Sequence, residues 1–104
     1  MKIEDVIEMG ETSNLILYAD KETLNHKLSI RKWEKGDYFY PFGMNGKKKV
    51  SKFYKDEKMD LITKERQWLL CSGEDIIWVI GRRGDDRFKV TSKTKSILKF
   101  SITE

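Results

Sequence analysis

The stretch "QWLLCSGEDIIWVIG", residues 67–81, constrains the fold more than any other part of the sequence. Two short apolar runs flank the connection "SGED", and apolar runs of this length joined by a glycine-containing turn predict a β-hairpin. The second run does not alternate between polar and apolar residues, which predicts a central strand covered on both faces. Because large aromatic side chains dominate small cores, Trp68 and Trp78 are both predicted to be buried.

A chain of 104 residues can enclose one modest core around such a hairpin. We therefore predict a polar lead-in at residues 1–13 and a single domain at residues 14–104. The longest apolar run, "IIWVI", is far shorter than the roughly 18 residues of a membrane span, and the N-terminus lacks signal-peptide character. With Cys71 as the one cysteine and His26 as the one histidine, we expect a buried thiol, no metal site and a cytoplasmic, reducing location.

Further strands are predicted at "NLILYAD", "KLSIRKW", "FKVT" and "KSILKFSI". One helix is predicted at "KKKVSKFYKDEK", where Val50, Phe53 and Tyr54 fall on one stripe and Lys48, Lys52 and Lys55 on the opposite face. Asn45 or Gly46 would cap it. About six short strands with one mid-chain helix predict the α+β class with antiparallel or mixed sheets.

The segment "GDYFYPFGMNG" before this helix combines three glycines with the single proline. We expect Gly36, Pro41, Gly43 and Gly46 to shape a stiff turn. Its aromatic residues either stack on bases or anchor the turn, and core positions are favoured for Phe39 and Phe42.

Positive charge is concentrated after the first quarter of the chain, with a net −4 over residues 1–26 and +8 over residues 27–104. Residues 43–58 alone hold six lysines against Asp56 and Glu57. Lysine-rich helical faces are usually just solvated, but this cluster starts at a predicted helix N-terminus, which favours phosphate. Two further basic groups support the hypothesis of nucleic-acid backbone binding. One is Arg31 with its neighbour Trp33, and the other is a second loop with Arg82, Arg83 and Arg87.

Catalytic motifs are not complete anywhere in the sequence. A phosphate loop of the G-x-x-x-x-G-K-S/T type fails, because Pro41 occupies the first glycine position and Lys48 the last position. The neighbouring Asp85 and Asp86 are explained more simply by pairing with nearby arginines than by acid–base chemistry. Whether the chain belongs to an enzyme stays open at this point.

Two runs, "IRKWEKGDYFYPFGMNGKKKVSKFYKDEKM" and "ERQWLLCSGEDIIWVIGRR", resemble the C-terminal domain of bacterial tRNA(Ile)-lysidine synthetase. That domain shows an arginine-bearing strand, a W-x-x-G-D-x-x-x-P-x-G-M-x-G-x-K-K segment, a lysine-rich helix and a strand ending in W-V-x-G-x-R. The matching residues are Arg31, Trp33, Gly36, Asp37, Pro41, Gly43, Met44, Gly46, Lys48, Lys49, Trp78, Val79, Gly81 and Arg82. The chain departs from the pattern at Met59-Asp60 and at Gln67-Trp68, where the family often has proline.

The resemblance implies an α+β fold with two small sheets and a flanking lysine-rich helix, similar to a domain of phenylalanyl-tRNA synthetase. It implies an accessory tRNA-binding module, whose parent ligase uses ATP, with magnesium, and lysine to convert the wobble cytidine of a minor, CAU-anticodon isoleucine tRNA into lysidine. Catalysis would belong to an N-terminal domain, so no cofactor is expected in these residues.

The residues expected to contact RNA are Arg31, Trp33, Lys47, Lys48, Lys49, Lys52, Lys55, Arg82 and Arg83, with Gly36, Asp37, Pro41, Gly43 and Gly46 shaping the loop. The alternative function is a protein-interaction or homodimerisation module that uses exposed aromatic residues such as Tyr38 and Tyr40.

Overall fold

Three small antiparallel sheets and two short helices make up the fold in the computed structural model, which describes residues 1–103. The strands are β1 (Lys2–Val6), β2 (Ile16–Asp20), β3 (Leu28–Arg31), β4 (Tyr38–Phe39), β5 (Lys48–Lys49), β6 (Leu69–Ser72), β7 (Asp75–Val79), β8 (Arg83–Gly84) and β9 (Ile97–Ser101). The helices are α1 (Val50–Asp56) and α2 (Leu61–Arg66), and two 3₁₀ turns lie at Lys21–Thr23 and Asp86–Phe88. The predicted α+β class is confirmed.

The predicted hairpin is confirmed as β6 and β7, which form the centre of a four-stranded sheet in the order β3-β6-β7-β8. Their register shifts between Leu70 and Cys71, so that Leu70 pairs with Trp78 and Cys71 with Ile76. This bulge turns both Ile77 and Trp78 toward the same core, while Ile76 and Val79 pack in the other. The apolar character of β7 on both faces follows from these two cores.

The two cores, where one was predicted, give the molecule three layers. One face of the four-stranded sheet packs against α1 through Leu69, Cys71 and Val79. The opposite face, through Leu70 and Trp78, packs against the three-stranded sheet, whose order is β1-β9-β2. Burial of Cys71 and Trp78 is therefore confirmed.

The three-stranded sheet includes part of the segment predicted as a polar lead-in. Strand β1 pairs antiparallel with β9, from Lys2 opposite Ser101 to Val6 opposite Ile97. On β9, Phe100 is fully buried, and Leu98 packs against the same core, as the alternation of this strand predicts. Residues 2–6 thus belong to the folded sheet.

Two local predictions were wrong, and one helix was not predicted. "FKVT", residues 88–91, forms no strand. The Asp85 side chain accepts a hydrogen bond from the Arg87 backbone and starts a 3₁₀ turn that ends at Phe88, and residues 89–91 have no regular secondary structure. Neither Asn45 nor Gly46 caps α1. Pairing of β5 with β4 keeps the backbone extended through Lys49, which takes the cap position without a side-chain hydrogen bond. Helix α2, capped by the Asp60 side chain at Thr63 N, was not predicted.

Candidate nucleic-acid interface

Four lysines of the segment after the glycine turn line one open cavity of about 410 Å³. Pro41, Met44, Asn45 and Gly46 form the rest of its wall, and the lysines are Lys47, Lys48, Lys49 and Lys52. Gly43 and Gly46 have φ values of +80° and +83°, a backbone region that favours glycine. The glycine turn therefore brings the lysines of β5 and of α1 around one concave surface.

The apolar stripe predicted for α1 is confirmed, and its packing fixes the position of the helix that carries Lys52 and Lys55. Val50, Phe53 and Tyr54 are at most 2% exposed, and the Phe39 ring meets Phe53 edge-on at 5.2 Å between centroids. Lys52 and Lys55 lie on the solvent side of this helix as predicted, but Lys48 does not, because it precedes the helix in β5 and its side chain is only 17% exposed. The burial of Phe39 predicted from sequence is confirmed.

The N-terminus of α1 contributes less to this surface than we expected. The helix has only seven residues, and the backbone N–H of Val50 already donates a hydrogen bond to Asp37 O at 2.9 Å. The positive charge at this surface therefore comes from the lysine side chains rather than from the helix end.

The lysines differ in their partners. Lys48 and Lys52 both pair with Asp56, Lys52 at 3.6 Å, and the hydrogen bond from Lys48 lowers the pKa of the Asp56 carboxyl. Among residues 1–103, Lys47, Lys49 and Lys55 have no carboxylate within salt-bridge distance. Lys47 and Lys49 are thus the members of the cavity whose charge is not offset by a carboxylate there.

Arg31 and Asp37 form a two-point ion pair at the base of the glycine turn. The guanidinium of Arg31 donates to both Asp37 oxygens at 2.8 and 3.0 Å, and Asp37 also accepts from the Glu34 backbone. Burial acts to raise the pKa of Asp37, but the hydrogen bonds from Arg31 and Glu34 outweigh it and leave this pKa below its usual value. Hydrogen bonding to Asp37 in turn raises the pKa of Arg31.

Trp33, the aromatic neighbour of this pair, is half-buried rather than fully presented to solvent. Its ring meets Tyr54 edge-on, with 5.8 Å between centroids. Arg31 contacts Asp37 before the turn, and Trp33 contacts Tyr54 of α1. The two residues therefore support the turn and the helix behind the lysines.

The second basic loop lies against the same turn. Phe42 N donates to Gly84 O at 2.9 Å, and the buried Asp85 carboxylate accepts from Tyr40 N at 2.9 Å. Asp85 also pairs with Arg87, which confirms local charge pairing as the role of this carboxylate. These bonds bring residues 83–86 next to residues 40–42, two segments that are far apart in sequence.

The arginines of this second loop have distinct partners. Arg82 donates to the Gln67 side chain at 2.9 Å and lies 4.0 Å from Glu57. Arg83 donates to the Phe42 carbonyl at 3.0 Å and has no carboxylate partner within residues 1–103. Of the two arginines predicted to contact RNA here, Arg83 therefore has the more available charge.

Residues 28–100 match the family model described as the TilS substrate C-terminal domain. The chain belongs to this family. It is 48% identical over 88 residues to the tRNA(Ile)-lysidine synthase of Parabacteroides distasonis, covering 85% of this chain and 20% of that protein. The enzyme of the same name from Bacteroides thetaiotaomicron is 48% identical over 83 residues, covering 80% of this chain and 20% of the relative. The chain thus spans about a fifth of the length of these curated relatives.

A solved structure has the same fold. The crystal structure of a TilS C-terminal domain superposes with a TM-score of 0.75 over 98% of this chain and 82% of that chain, at 17% sequence identity. At this identity the likeness concerns the fold alone. The resemblance found in the sequence is therefore confirmed at the level of family and fold.

Two aromatic predictions are wrong in this TilS C-terminal domain. Trp68 is 47% exposed because it lies just before β6, and Lys32 Nζ covers its ring at 3.8 Å from the centroid in place of core packing. Phe42 is 51% exposed, because Pro41 takes the buried position of the turn and pairs with Asp85. An aromatic residue that lies next to a glycine, or just outside the end of a strand, is therefore a weak signal for a core position.

The sequence missed Gln67 as a connecting residue of this domain. It is buried, its amide donates to the backbone carbonyls of Trp68 and Ile80, and its carbonyl accepts from Arg82. Its position after a helix, where the family often has proline, gave no sign of this role.

The domain contains, within residues 1–103, no group of three or more His, Cys, Asp or Glu side chains placed to hold a metal ion. In the same part of the chain, no helix is long and apolar enough to cross a membrane.

Proposed function

We propose that this domain binds the sugar-phosphate backbone of a tRNA as an accessory module of a tRNA(Ile)-lysidine synthase. The observation that carries the proposal is the cavity with Lys47, Lys48, Lys49 and Lys52 in its wall. Asp56 is the carboxylate paired with lysines of this set, so four positive charges and one negative charge leave about +3 at one concave surface. A polyanion releases counterions when it binds such a surface, which favours association.

Duplex RNA is the form of polyanion that this surface suits best. The charged groups are ammonium ions on flexible stems, which contact phosphates as point charges rather than reading base edges. Proteins recognise double-stranded RNA mostly by its shape and its phosphates. Contact with a helical stem of the tRNA, independent of its base sequence, is therefore the expected mode.

The other predicted residues take two roles in this proposal. Arg83 and Lys55 extend the positive surface, since each lacks a carboxylate partner within residues 1–103. Arg31, Trp33 and Arg82 position the loops through Asp37, Tyr54 and Gln67.

Because the relatives are named tRNA(Ile)-lysidine synthase, we extend the proposal to a parent enzyme with that activity. The parent would modify the wobble cytidine of a minor isoleucine tRNA in the cytoplasm, with ATP, magnesium and lysine bound in a separate catalytic domain. The accessory domain would hold the tRNA body so that the anticodon reaches that domain. Such positioning accelerates a reaction by replacing an encounter of free molecules with one inside a complex.

The test is a comparison of two double variants in binding to a blunt-ended RNA duplex and to tRNA. Lys47→Glu with Lys49→Glu reverses the two cavity lysines that have no carboxylate partner within residues 1–103, and we expect affinity to fall about tenfold or more. Lys93→Glu with Lys95→Glu makes the same change in net charge on exposed lysines of another loop, and it serves as the matched control. Fluorescence anisotropy at constant salt measures both.

An equal loss in both double variants would show that only net charge matters and would contradict a defined site. The alternative function, a protein-interaction or dimerisation module, predicts no RNA binding by the wild type and a dimer on gel filtration that is insensitive to salt.

A further inference from the structure

A second cavity, of about 330 Å³, lies between β2 of one sheet and β8 of the other. This volume is at the small end of the roughly 300–1,000 Å³ typical of ligand pockets. Its wall is mainly apolar and includes Leu17, Phe42, Ile77, Trp78 and Phe88. The residues that line this second cavity differ from those that line the lysine cavity.

Gly84 and Phe42 define the shape of this second cavity. A Cβ atom at Gly84 would lie 2.6 Å from Leu17 Cδ1, so the absence of a side chain at Gly84 leaves room for the Leu17 side chain between the two sheets. The ring of Phe42 stands at the wall with half of its surface in solvent, held by backbone hydrogen bonding to Gly84. An exposed ring beside an apolar cavity offers a flat surface on which another ring can stack.

Charge at this cavity is positive once internal pairs are counted. Asp85 is buried and engaged by Arg87 and Tyr40 N, and the Tyr18 hydroxyl is engaged by Gly10 N and Glu11 O. Arg83 remains without a carboxylate partner in the described chain.

Two other cations line the same cavity. Lys89 pairs with Asp86 at the surface at 3.0 Å and lies 5.8 Å from the Phe42 ring centroid, whereas Arg82 lies near Glu57. A ligand with a flat apolar part and an anionic part complements this arrangement.

The two cavities share the Pro41–Gly46 turn as a wall. Pro41, Met44 and Gly46 line the lysine cavity, and Phe42 lines the apolar one. The two cavities are therefore neighbours along this turn.

We propose that the apolar cavity receives the base of an unpaired nucleotide of the bound RNA, with the Phe42 ring against the base and Arg83 and Lys89 at its phosphate. This inference rests on the proposed RNA-binding function, and it adds an interaction that a blunt duplex cannot make. Unpaired bases stacked on aromatic side chains are a common element of RNA recognition.

The experiment measures the affinity of the whole 104-residue chain for each of three RNA ligands. They are a blunt duplex, the same duplex with unpaired nucleotides at one 3′ end, and that overhang with abasic nucleotides. We expect the overhang to raise affinity at least about fivefold, the lower end of what one stacked base contributes, and the abasic overhang to give little of this gain. The abasic ligand separates the base from the added phosphates.

Variants assign the gain to the cavity. Phe42→Ala should remove most of the overhang gain with blunt-duplex affinity unchanged, and Phe42→Trp should retain the gain. Leu61→Ala, a matched truncation of an apolar residue that is 70% exposed on α2, should change neither. Thermal unfolding of each variant checks that the fold is kept.

Equal affinities for the three RNA ligands, with measurable blunt-duplex binding, would overturn this inference and leave the proposed function intact. If the wild-type chain did not bind the blunt duplex, that result would count against the proposed function instead. An abasic overhang as effective as the normal one would also overturn the inference, since the cations alone would then explain the gain.

Discussion

At the residue scale, two carboxylates determine where the lysines lie. Asp37 holds the start of the glycine turn through Arg31 and Glu34 N, and Asp85 holds its middle through Tyr40 N. Each of these carboxylates accepts several hydrogen bonds from within the domain. Their role is to fix a loop whose glycines would otherwise leave it many conformations.

Replacement of Asp85 should destabilise the domain more than replacement of its neighbour. Asp85→Ala removes the acceptor of the part-buried Tyr40 N–H and one of the two carboxylates near the Arg87 guanidinium, which also lies 3.6 Å from Asp75, and should cost about 1–3 kcal/mol. Asp86→Ala removes only the surface pair with Lys89 and should cost less than about 1 kcal/mol. Urea unfolding measures both, and equal losses would contradict the assigned role of Asp85.

Asp37 should make the stability of the domain depend on pH in the acid range. Its folded pKa lies below the unfolded value of about 3.9, so its contribution is complete above about pH 5 and is lost as the pH falls through the folded pKa. Asp37→Asn should lose stability at neutral pH, and its difference from wild type should shrink below about pH 4. A difference that stays constant across this range would contradict the ion pair.

At the scale of single elements, the sequence predicts those whose pattern agrees with their packing. The stripe of Val50, Phe53 and Tyr54 predicts α1, and the two apolar runs predict the β6–β7 hairpin, since burial determines both patterns. The predicted lysine cluster likewise follows from sequence, because its residues are contiguous. Which lysines are paired could not be predicted, since Lys48 reaches Asp56 only through the bend between β5 and α1.

Two of the elements that were not predicted are set by side-chain capping. Residues 86–88 form a 3₁₀ turn because of Asp85, and α2 begins at the Asp60 cap without an apolar stripe of its own. Leu61 and Ile62 of that helix are exposed, so hydrophobic periodicity carried no signal there. A local hydrogen bond decided the conformation in both places.

The core face of α1 contains one polar atom that packing does not need. The Tyr54 hydroxyl is buried and finds no hydrogen-bond partner within residues 1–103, and burial raises the pKa of Tyr54 to about 12. Tyr54→Phe should therefore be neutral or stabilise the domain by about 1 kcal/mol. Tyr54→Ala should cost about 3–5 kcal/mol through the cavity it leaves. Chemical unfolding that showed a large loss for Tyr54→Phe would indicate that the hydroxyl does have a partner.

At the scale of the whole molecule, the four-stranded sheet acts as a platform with α1 on one face and the three-stranded sheet on the other. The lysine cavity forms where the glycine turn, β5 and α1 meet, and the second basic loop is bonded to the same turn. The lysine cavity itself is lined by residues 41–52, and the bond from Arg83 to the Phe42 carbonyl adds one positive charge from a segment far away in the sequence.

The central claim, that the lysine cavity binds RNA phosphates, is tested most directly by the salt dependence of binding to a blunt RNA duplex. We predict that log affinity falls linearly with log salt, and that Lys47→Gln with Lys49→Gln makes the slope shallower by about 2, because two phosphates are then no longer neutralised. Lys93→Gln with Lys95→Gln should leave the slope close to that of the wild type. An unchanged affinity and slope in the Lys47 and Lys49 variant would contradict the account.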